Sequence, residues 1–358
     1  MATPHQVAVG NLLYTVVDDC TTSYWAILTG SVSDEILGAL YAPDFTVDTG
    51  RADLPSKTTA NGLFAVTGYP DQSFPNHVTT NYNVSLLIRA AGFRDLSLTQ
   101  AIPAGAAFPI VLPPQALRRL PVRIQGRVVN DLTRAAIAGA LVLSVDGPST
   151  PPTVHTTAMR TPMYFDHPPG TPAQNVTWNP PVPLNLTAAV AAGDKILNLL
   201  NRSGLTGNPV IQLQNSSQTI VEYVVVDHLG PGAPAAGQVF LRNALNHSYS
   251  QSATVAHLTP NFVGGIANLS SDANTGDGIL LASQLLNGAS TLVVDWGSLT
   301  AEYHEVGALT DSDGYYGLDG MGRVQEISLS SSQGALQKTV SWFIEYDHPI
   351  NVVDLRLS

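Results

Sequence analysis

Short runs in which apolar and polar residues alternate recur along the whole chain. The clearest lie at residues 84–90, 122–129, 140–146, 219–227 and 291–296. They are rich in β-branched residues, and clusters of Gly, Pro, Asn and Asp separate them. A period of two is typical of strands with one buried face, and frequent turn signals favour antiparallel sandwiches or barrels. The pattern predicts an all-β fold.

Helical periodicity is scarce by comparison. Its best candidate is NLTAAVAAGDKILNLLNR (residues 185–202), where an AAGD turn signal interrupts the spacing of the apolar residues. We therefore expect at most short helices.

Two distant stretches of nine residues follow one pattern. TTANGLFAV (58–66) aligns with TDSDGYYGL (310–318), so that Asn-Gly coincides with Asp-Gly and Phe64 coincides with Tyr316. Asn or Asp followed by Gly supplies the positive φ angles that a tight turn needs, and the alternating residues that follow re-enter a strand. The pattern predicts a β-hairpin at both places.

The second stretch is part of a wider resemblance. Residues 122–147, followed later by TDSDGYYGL, resemble the carboxypeptidase regulatory-like domain, in which a GxVxD and xxPxxGAxV strand pair precedes a TDxDGxFxL hairpin. The matching residues are Gly126, Val128, Ala138, Gly139, Ala140 and Val142, then Thr310, Asp311, Asp313, Gly314, Tyr316 and Leu318. Residues 28–112 form a looser copy, with LTGSVSD, KTTANGLFAV and YNVSLLIRAAGFRDL.

The resemblance implies tandem transthyretin/Ig-like β-sandwiches with a large β-rich insertion. The first sandwich, with an N-terminal arm, is expected at residues 1–120, and the second at 121–150 plus 308–358. The inserted β-rich domain would then span 151–307, a length that a loop at the end of a sandwich can tolerate.

The insertion itself is repetitive. Residues 190–226 and 273–306 share a GDxIL sequence, a central apolar strand and an EYxxV sequence. Repeated short strands of this kind are common in extended surface and particle proteins.

Composition supports a folded, turn-rich protein. Of the 358 residues, 44% are apolar, only 12% are charged, and 30 are Gly and 25 Pro. Disorder requires low hydrophobicity with high net charge, so it is not expected. The net charge of -11 argues against sequence-independent binding of nucleic acid, which depends on clustered Lys and Arg.

The same sequence also predicts the cellular compartment in which the protein is made. A single cysteine, Cys20, excludes an intrachain disulfide and is expected to be a small buried side chain. No run of about 18 apolar residues predicts a membrane span, and residues 1–19 lack the pattern of a signal peptide. We expect synthesis in the cytoplasm, and release as part of an extracellular particle is left open.

TDSDGYYGL also resembles a calcium-binding loop. An EF-hand needs Gly at its sixth position and Glu at its twelfth, but counting from Asp311 gives Gly at the fourth and Gly322 at the twelfth. Asp311, Asp313 and Asp319 are weak candidates for calcium bound in another way. The early copy lacks the first two carboxylates, so we favour the turn and expect no metal.

Three Asp-His dipeptides, at 166–167, 227–228 and 347–348, are candidate acid–base pairs. Adjacent residues of a strand point to opposite faces, so each is expected to be a polar strand end. A two-histidine metal site assembled across loops is the alternative.

AEYHEVG (301–307) contains two acidic residues around a histidine. Glu302, His304 and Glu305 lack the HExxH spacing of a zinc helix. In a strand, Glu302 and His304 share a face, and we expect a satisfied surface pair.

Neither the GxSxG elbow, nor the Walker loop, nor GxGxxG occurs, so we expect no catalytic residue and no cofactor. Hydrolysis of glycosides by two carboxylates stays open, because such residues can come from anywhere in a sandwich. Aromatic residues could form a sugar-stacking platform but are expected to be core or interface anchors. They are Tyr24, Trp25, Trp178, Trp296 and Trp342.

The sequence therefore favours a non-enzymatic structural or adaptor component of a multi-protein assembly, such as a phage tail, virus-like particle or contractile injection system. Its expected partners are other subunits of the same assembly, including further copies of itself. The alternative is a cell-surface carbohydrate-binding or adhesion protein, so a glycan partner is left open.

Overall fold

A computed structural model describes most of the chain. It covers residues 5–9, 12–16, 25–35, 44–145, 155–207, 209–217, 219–283, 285, 291–298, 301–322 and 326–358. Cys20, Tyr24 and the boundary expected between residues 150 and 151 lie outside these ranges. The described residues are mostly strands, with helix only at Pro70–Ser73 (α1) and Trp296–Ser298 (a 3-10 turn), so the all-β prediction is confirmed. None of these helices is long and apolar enough to cross a membrane.

The first of two compact units, Met1–Leu120, contains a two-layered sandwich. Its strands are β1 (His5–Val9), β2 (Leu12–Val16), β3 (Trp25–Asp34), β4 (Phe45–Asp48), β5 (Ser56–Thr58), β6 (Leu63–Gly68), β7 (Tyr82–Ala90), β8 (Leu96–Ile102), β9 (Ile110–Val111) and β10 (Gln115–Leu117). One sheet has the order β10-β3-β6-β5, with β9 also beside β3, and the other has the order β4-β7-β8. Alternate residues of β7, such as Val84 and Leu86, share one core with Phe64 and Val66 of β6.

The second compact unit, Pro121–Ser358, begins and ends with strands of another sandwich. Its strands are β11 (Val122–Asn130), β12 (Leu141–Val145), β13 (His155–Thr157), β14 (Pro172–Trp178), β15 (Val182–Leu184), β16 (Ile196–Leu199), β17 (Val210–Gln214), β18 (Val221–Leu229), β19 (Gly237–Leu241), β20 (Thr254–Leu258), β21 (Pro260–Asn268), β22 (Ile279–Leu281), β23 (Thr291–Val294), β24 (Glu302–Glu305), β25 (Ala308–Leu309), β26 (Tyr315–Met321), β27 (Glu326–Gln333), β28 (Leu336–Phe343), β29 (Ile350–Val352) and β30 (Leu355–Leu357). Strands from before and after the insertion pair in the sheets β26-β11-β29 and β25-β12-β27-β28. The expected three-part division into domains stays a prediction.

The two sandwiches share one scheme of strand pairing. In the first, β3 pairs antiparallel with β6 and parallel with β9 and β10. In the second, β11 pairs antiparallel with β26 and parallel with β29 and β30. The sequence similarity between residues 28–112 and the second sandwich therefore has a counterpart in topology.

A glycine of each central strand lies under an aromatic ring of its neighbour. Gly30 is opposite Phe64 and Gly126 is opposite Tyr316 in the registers of the two sheets. A Cβ atom on Gly30 would lie 2.6 Å from the Phe64 ring, and one on Gly126 would lie 1.9 Å from the carbonyl oxygen of Val353. The Tyr316 hydroxyl donates a hydrogen bond to that same oxygen at 2.7 Å. Only glycine leaves room for this packing.

Both predicted tight turns are present. The amide of Gly62 donates to the Thr59 carbonyl at 3.2 Å, and that of Gly314 donates to the Asp311 carbonyl at 3.0 Å. In the Asn-Gly and Asp-Gly pairs, only the glycines have positive φ, +75° and +80°. The expectation that both residues of each pair supply such angles is therefore wrong, since this geometry fits a type I turn closed by a left-handed glycine.

The second turn is a corner and not a hairpin between paired strands. β5 and β6 pair on either side of the first turn, but β25 pairs with β12 while β26 pairs with β11. Thr310 explains the difference, because its hydroxyl donates to the carbonyl of Ile137 at 2.6 Å and accepts from the amide of Ala140 at 2.8 Å. These bonds draw the start of the turn into the other sheet.

The insertion consists of two intertwined repeats. In the first, the amides of Gly193 and Leu245 donate to the carbonyls of Leu245 and Asp194; in the second, the same bonds join Gly276, Met163 and Asp277. The sequence repeat is thus confirmed in the hydrogen bonds. Strands outside the two matched segments complete both sheets, because β20 pairs with β17 and β14 pairs with β23.

The best helical candidate, residues 185–202, is not helical. Its AAGD sequence forms a turn in which Gly193 has φ +92° and the Asp194 carboxylate accepts from the amide of Ala191 at 2.8 Å. The residues after it form β16 as the edge of a six-stranded sheet. The apolar residues that suggested a helix are the alternate buried positions Leu197 and Leu199.

A buried guanidinium organises the loop between β18 and β19. Arg202 is 1% exposed, and its side chain donates to five backbone carbonyls at 2.7 to 3.5 Å. The acceptors are Gly230, Pro231, Ala235, Ala236 and Gln238. A guanidinium has five N–H donors in a rigid fork, whereas a lysine ammonium has only three, so it cannot serve all five of these carbonyls.

Replacement of Gly126 should test the contact between β11 and the segment joining β29 to β30. Gly126→Ala is expected to lower the free energy of unfolding by about 3 kcal/mol, because the new methyl group would overlap a backbone carbonyl. Gly265→Ala is the control, since no atom lies within 4 Å of its added Cβ. Denaturant unfolding of both variants measures the difference; equal stabilities would contradict the contact.

Replacement of Arg202 should test the buried guanidinium. Arg202→Lys is expected to destabilise the protein by about 3 kcal/mol, since several buried carbonyls lose their donor. Arg134→Lys, at a side chain that is 57% exposed, should change stability by less than about 0.5 kcal/mol. Thermal unfolding monitored by circular dichroism provides the comparison. If Arg202→Lys unfolds at the same temperature as the parent protein, water replaces the lost donors and the guanidinium is not required.

Candidate functional site

The second unit contains a groove on one face of its sandwich. Its volume is about 730 Å³, and its lining comes from the outward face of β11, β26 and β29, from the end of β24 and from the turn between β17 and β18. Gln125 and Arg123 on β11 face outward because they alternate with the buried residues Ile124 and Val128. The pattern that builds the core therefore also sets the polar floor of the groove.

The floor is organised around Arg123. Its Nη1 atom lies 2.6 and 2.7 Å from the two carboxylate oxygens of Asp319, and its Nε donates to Gln125 at 3.2 Å. The guanidinium lies over Gly317, where an added Cβ would be 2.0 Å from Nη2. Gly317 therefore leaves the space that the guanidinium fills.

One end of the floor carries an exposed aromatic ring. Tyr315 is 55% exposed, and the guanidinium of Arg127 lies 5.5 Å from the centre of its ring. The backbone amide of Arg127 donates to the Asp354 carboxylate at 2.9 Å. The cation–π contact and the hydrogen bond to Asp354 both limit the movement of Arg127 beside the Tyr315 ring.

The opposite wall comes from the insertion. Arg160 donates to Glu305 at 2.5 Å, and the other carboxylate oxygen of Glu305 accepts from the Tyr223 hydroxyl at 2.8 Å. Gln214 and Thr219, from the end of β17 and the turn that follows it, complete this wall. The groove is thus lined by charged groups in hydrogen-bonded pairs.

The three weak metal candidates have separate roles, and Asp313 contributes its backbone carbonyl, which accepts from Nε of Arg127 at 2.8 Å. Asp311 accepts from the amides of Asp313 and Tyr315, both at 2.9 Å, and so caps the turn. Asp319 lies on β26 beside Arg123. Among the described residues, no group of three or more His, Cys, Asp or Glu side chains is arranged to hold a metal ion.

A buried carboxylate lies behind this wall, at the start of β24. The Oε1 atom of Glu302 accepts from the amide of Phe165 and from Nε2 of His167, both at 2.7 Å. Its Oε2 atom accepts from the amide of Tyr164 at 2.9 Å and from Nε2 of His304 at 2.8 Å. A carboxylate has about four acceptor sites, so this one is filled by protein donors.

These contacts correct one expectation. Glu302 and His304 do share a face of the strand, but they are 3% and 0% exposed and are not a surface pair. The cause is the loop containing Tyr164, which covers β24 and supplies three of the four donors.

The pKa of Glu302 reflects the balance of two effects. Burial would raise the pKa of its carboxyl, but hydrogen bonds from His167 and His304 outweigh that effect and hold the pKa at about 2, against an ordinary value of 4.5. The charged form is thus the one that the fold stabilises.

Glu222 occupies the equivalent place in the other repeat. It is 2% exposed, and it accepts from the amide and side chain of Asn246 at 2.7 and 3.0 Å. It also accepts from the amide of His247 at 3.3 Å and the hydroxyl of Tyr249 at 3.1 Å. In both repeats, the glutamate of the EY sequence holds two successive amides of a loop. The recurrence of EY was the sequence signal for this role.

The Asp-His dipeptides have different environments in the structure. His167 is buried against Glu302, whereas Asp227 and His228 are exposed and hydrogen-bonded to each other at 2.8 Å. A register shift in β18 between Val226 and His228 removes the alternation that would separate them. The expectation of opposite faces is therefore wrong at this position.

Most of the candidate aromatic residues are partly buried and pack against core residues. Trp178 stacks on Tyr223 with ring centres 5.5 Å apart, and Trp296 meets Tyr303 edge to face at 5.9 Å. Trp342 packs against the core of the second sandwich, while Trp25 is 43% exposed. The exposed ring of the groove, Tyr315, is not among the sequence candidates, because its position in TDSDGYYGL predicts only a strand residue after a turn.

Replacement of Glu302 should change the acid stability of the protein. The lowered pKa means that the carboxylate stabilises the fold fully above pH 4.5 and that this contribution, about 3 kcal/mol, is lost as the pH falls towards 2. Glu302→Gln should lower stability at pH 7 and flatten the fall between pH 4.5 and 2. Glu345→Gln, at an exposed side chain, is the control. Urea unfolding across this pH range measures both, and an unchanged acid limb would contradict the assignment.

Comparisons with known proteins give little guidance. No family model matches the chain, and no curated protein matches it. Two solved structures that it resembles are those of the major pilin subunit BcpA of Bacillus cereus and of a variant of that subunit, with 9% and 8% sequence identity. Each alignment covers 94% of this chain and 99% of the pilin, with a TM-score of 0.21. That score is too low to carry an argument about fold or function.

Proposed function

We propose that the protein is a non-enzymatic structural or adaptor component of a multi-protein assembly. The observation that carries this proposal is that buried charged side chains hold loops of the protein in place. Glu222 holds a loop through four hydrogen bonds. Glu302 holds another loop through three and accepts a fourth from His304 of its own strand, and Arg202 holds a third loop through five. Saturated networks of this kind fix the backbone and suit a rigid scaffold.

The repeated architecture supports the same proposal. The common pairing scheme of the two sandwiches agrees with a duplicated small β-domain, and we propose that both are of the carboxypeptidase regulatory-like type. That resemblance implies scaffolding or binding and no catalysis of its own. We place the protein in a particle such as a phage tail, virus-like particle or contractile injection system.

The strand β28 provides a surface for self-association. It is an eight-residue edge in the sheet order of the described residues, and its exposed side chains include Thr339 and Phe343. Gln333 pairs with Leu336 across a two-residue loop, so hydrogen-bonded pairs should alternate from there along the hairpin. By this count, the amide of Thr339 points away from β27. A row of such amides can pair with the same strand of a second copy.

Light scattering coupled to size-exclusion chromatography tests this function. The protein should form oligomers in a concentration-dependent manner, and Thr339→Pro should reduce them by removing an outward amide while leaving the hairpin bonds intact. Leu132→Ala, at a loop residue that is 91% exposed, is the control and should still associate. A protein that stays monomeric at every concentration would contradict self-assembly.

A further inference from the structure

The groove floor combines polar and apolar surface. Polar groups on planar side chains, namely Arg123, Gln125 and Asp319, are joined in one hydrogen-bonded network. Beside them lie exposed apolar groups, since Tyr315 is 55% exposed and Val352 is 59% exposed. A ligand that fills this groove must present hydroxyl-like edges and non-polar faces side by side.

The charge of the groove narrows the ligand further. Its lining contains two guanidinium groups, on Arg123 and Arg160, and a third, on Arg127, lies beside Tyr315, against four carboxylates. The carboxylates belong to Glu305, Asp311, Asp319 and Asp354. This acidic balance disfavours phosphate, sulfate and uronic acid groups. The paired charges still offer donors and acceptors fixed in orientation, which are suited to neutral hydroxyl groups.

We propose that this groove binds a neutral oligosaccharide. A pyranose ring has hydroxyl groups at its edge and aliphatic C–H groups on its faces, so one sugar can stack on Tyr315 while its hydroxyls bond to Arg123, Gln125 and Asp319. The groove volume of about 730 Å³ accommodates several sugar units. The opposite wall, with Gln214 and Thr219, supplies further polar groups along the same cleft.

Arg123 is held in a fixed position, and this distinguishes the groove from an ordinary polar surface. Two carboxylate oxygens of Asp319 and the side-chain amide of Gln125 hold its guanidinium over Gly317. Ordering this long side chain in advance removes part of the entropy cost of binding. The site therefore depends on a residue, Gly317, that has no side chain with which to touch a ligand.

The rival occupant is an extended peptide from a neighbouring copy. Leu309 and Val352 are exposed and would accept apolar side chains. The lining also includes residues of β24, β25 and β26, which end their sheets among the described residues, so a peptide could form main-chain hydrogen bonds there. A peptide paired at these edges would not satisfy the side-chain network of Arg123, Gln125 and Asp319. The polar network on the floor fits sugar hydroxyls better.

Calorimetric titration of the full chain tests the proposal. The probes are trimers to hexamers of glucose, mannose, galactose and N-acetylglucosamine, a sulfated heparin-derived hexamer, and a peptide with the sequence of residues 336–343. We expect a neutral oligosaccharide to bind, while the sulfated hexamer and the peptide do not.

Two variants locate the site. Tyr315→Ala should weaken binding of the neutral sugar at least about tenfold by removing the stacking surface. Gly317→Ala should weaken it to a similar degree, because its methyl group displaces the Arg123 guanidinium, a side chain that can move without unfolding the sheet. Phe343→Ala removes an equally exposed ring outside the groove lining and should leave affinity unchanged.

The outcomes are decisive in both directions. Sugar binding that both groove variants weaken, with unfolding temperatures like that of the parent protein, supports the site. Failure of every neutral sugar, binding that Tyr315→Ala leaves intact, or binding of the peptide or sulfated hexamer alone would overturn it. The proposal does not rest on self-assembly, since Thr339→Pro should bind the sugar as well as the parent does.

Discussion

The close packing of an aromatic ring on a glycine of the adjacent strand is the constraint on which both sandwiches depend. In the second sandwich, Tyr316 covers Gly126 and also holds the carbonyl of Val353. Gly126 lets that carbonyl approach β11 more closely than any side chain would permit. The parallel strands β29 and β30 can then flank β11, and the outward face of the same sheet becomes the floor of the groove.

Buried charged groups hold the loops of the insertion in place, whereas the sandwiches depend on the close packing of rings on glycines. Its two larger sheets have several strands buried on both faces, such as β18, in which Val224, Val225 and Val226 are all buried. Loops that cross such layers must have their amides satisfied away from water. Glu222 and Glu302 supply the acceptors, one in each repeat, and a well-paired carboxylate stabilises the loop although its burial is costly.

Much of the fold could be predicted from local patterns. Alternation located β7 and β11, and Asn-Gly or Asp-Gly located both turns, because these features arise from residues close in sequence. The site was harder to predict, since its chemistry depends on which loop covers which strand. Nothing near His304 indicates that a loop from the other end of the insertion buries it, and no periodicity signals that Arg202 holds a distant loop. The pairing of β14 with β23 and of β20 with β17 is equally non-local.

The two ends of the insertion leave the sandwich side by side. Val142 of β12 pairs with Ala308 of β25, and Gly307 lies so close to Val142 that an added methyl group would overlap its carbonyl. The inserted segment meets the sandwich again away from these strands, because Met159 forms a β-bridge with Asp319 and a Cβ atom added to Gly278 would lie 2.2 Å from the carbonyl oxygen of Gly320. Sandwich and inserted segment therefore share backbone contacts at several points and form one compact unit.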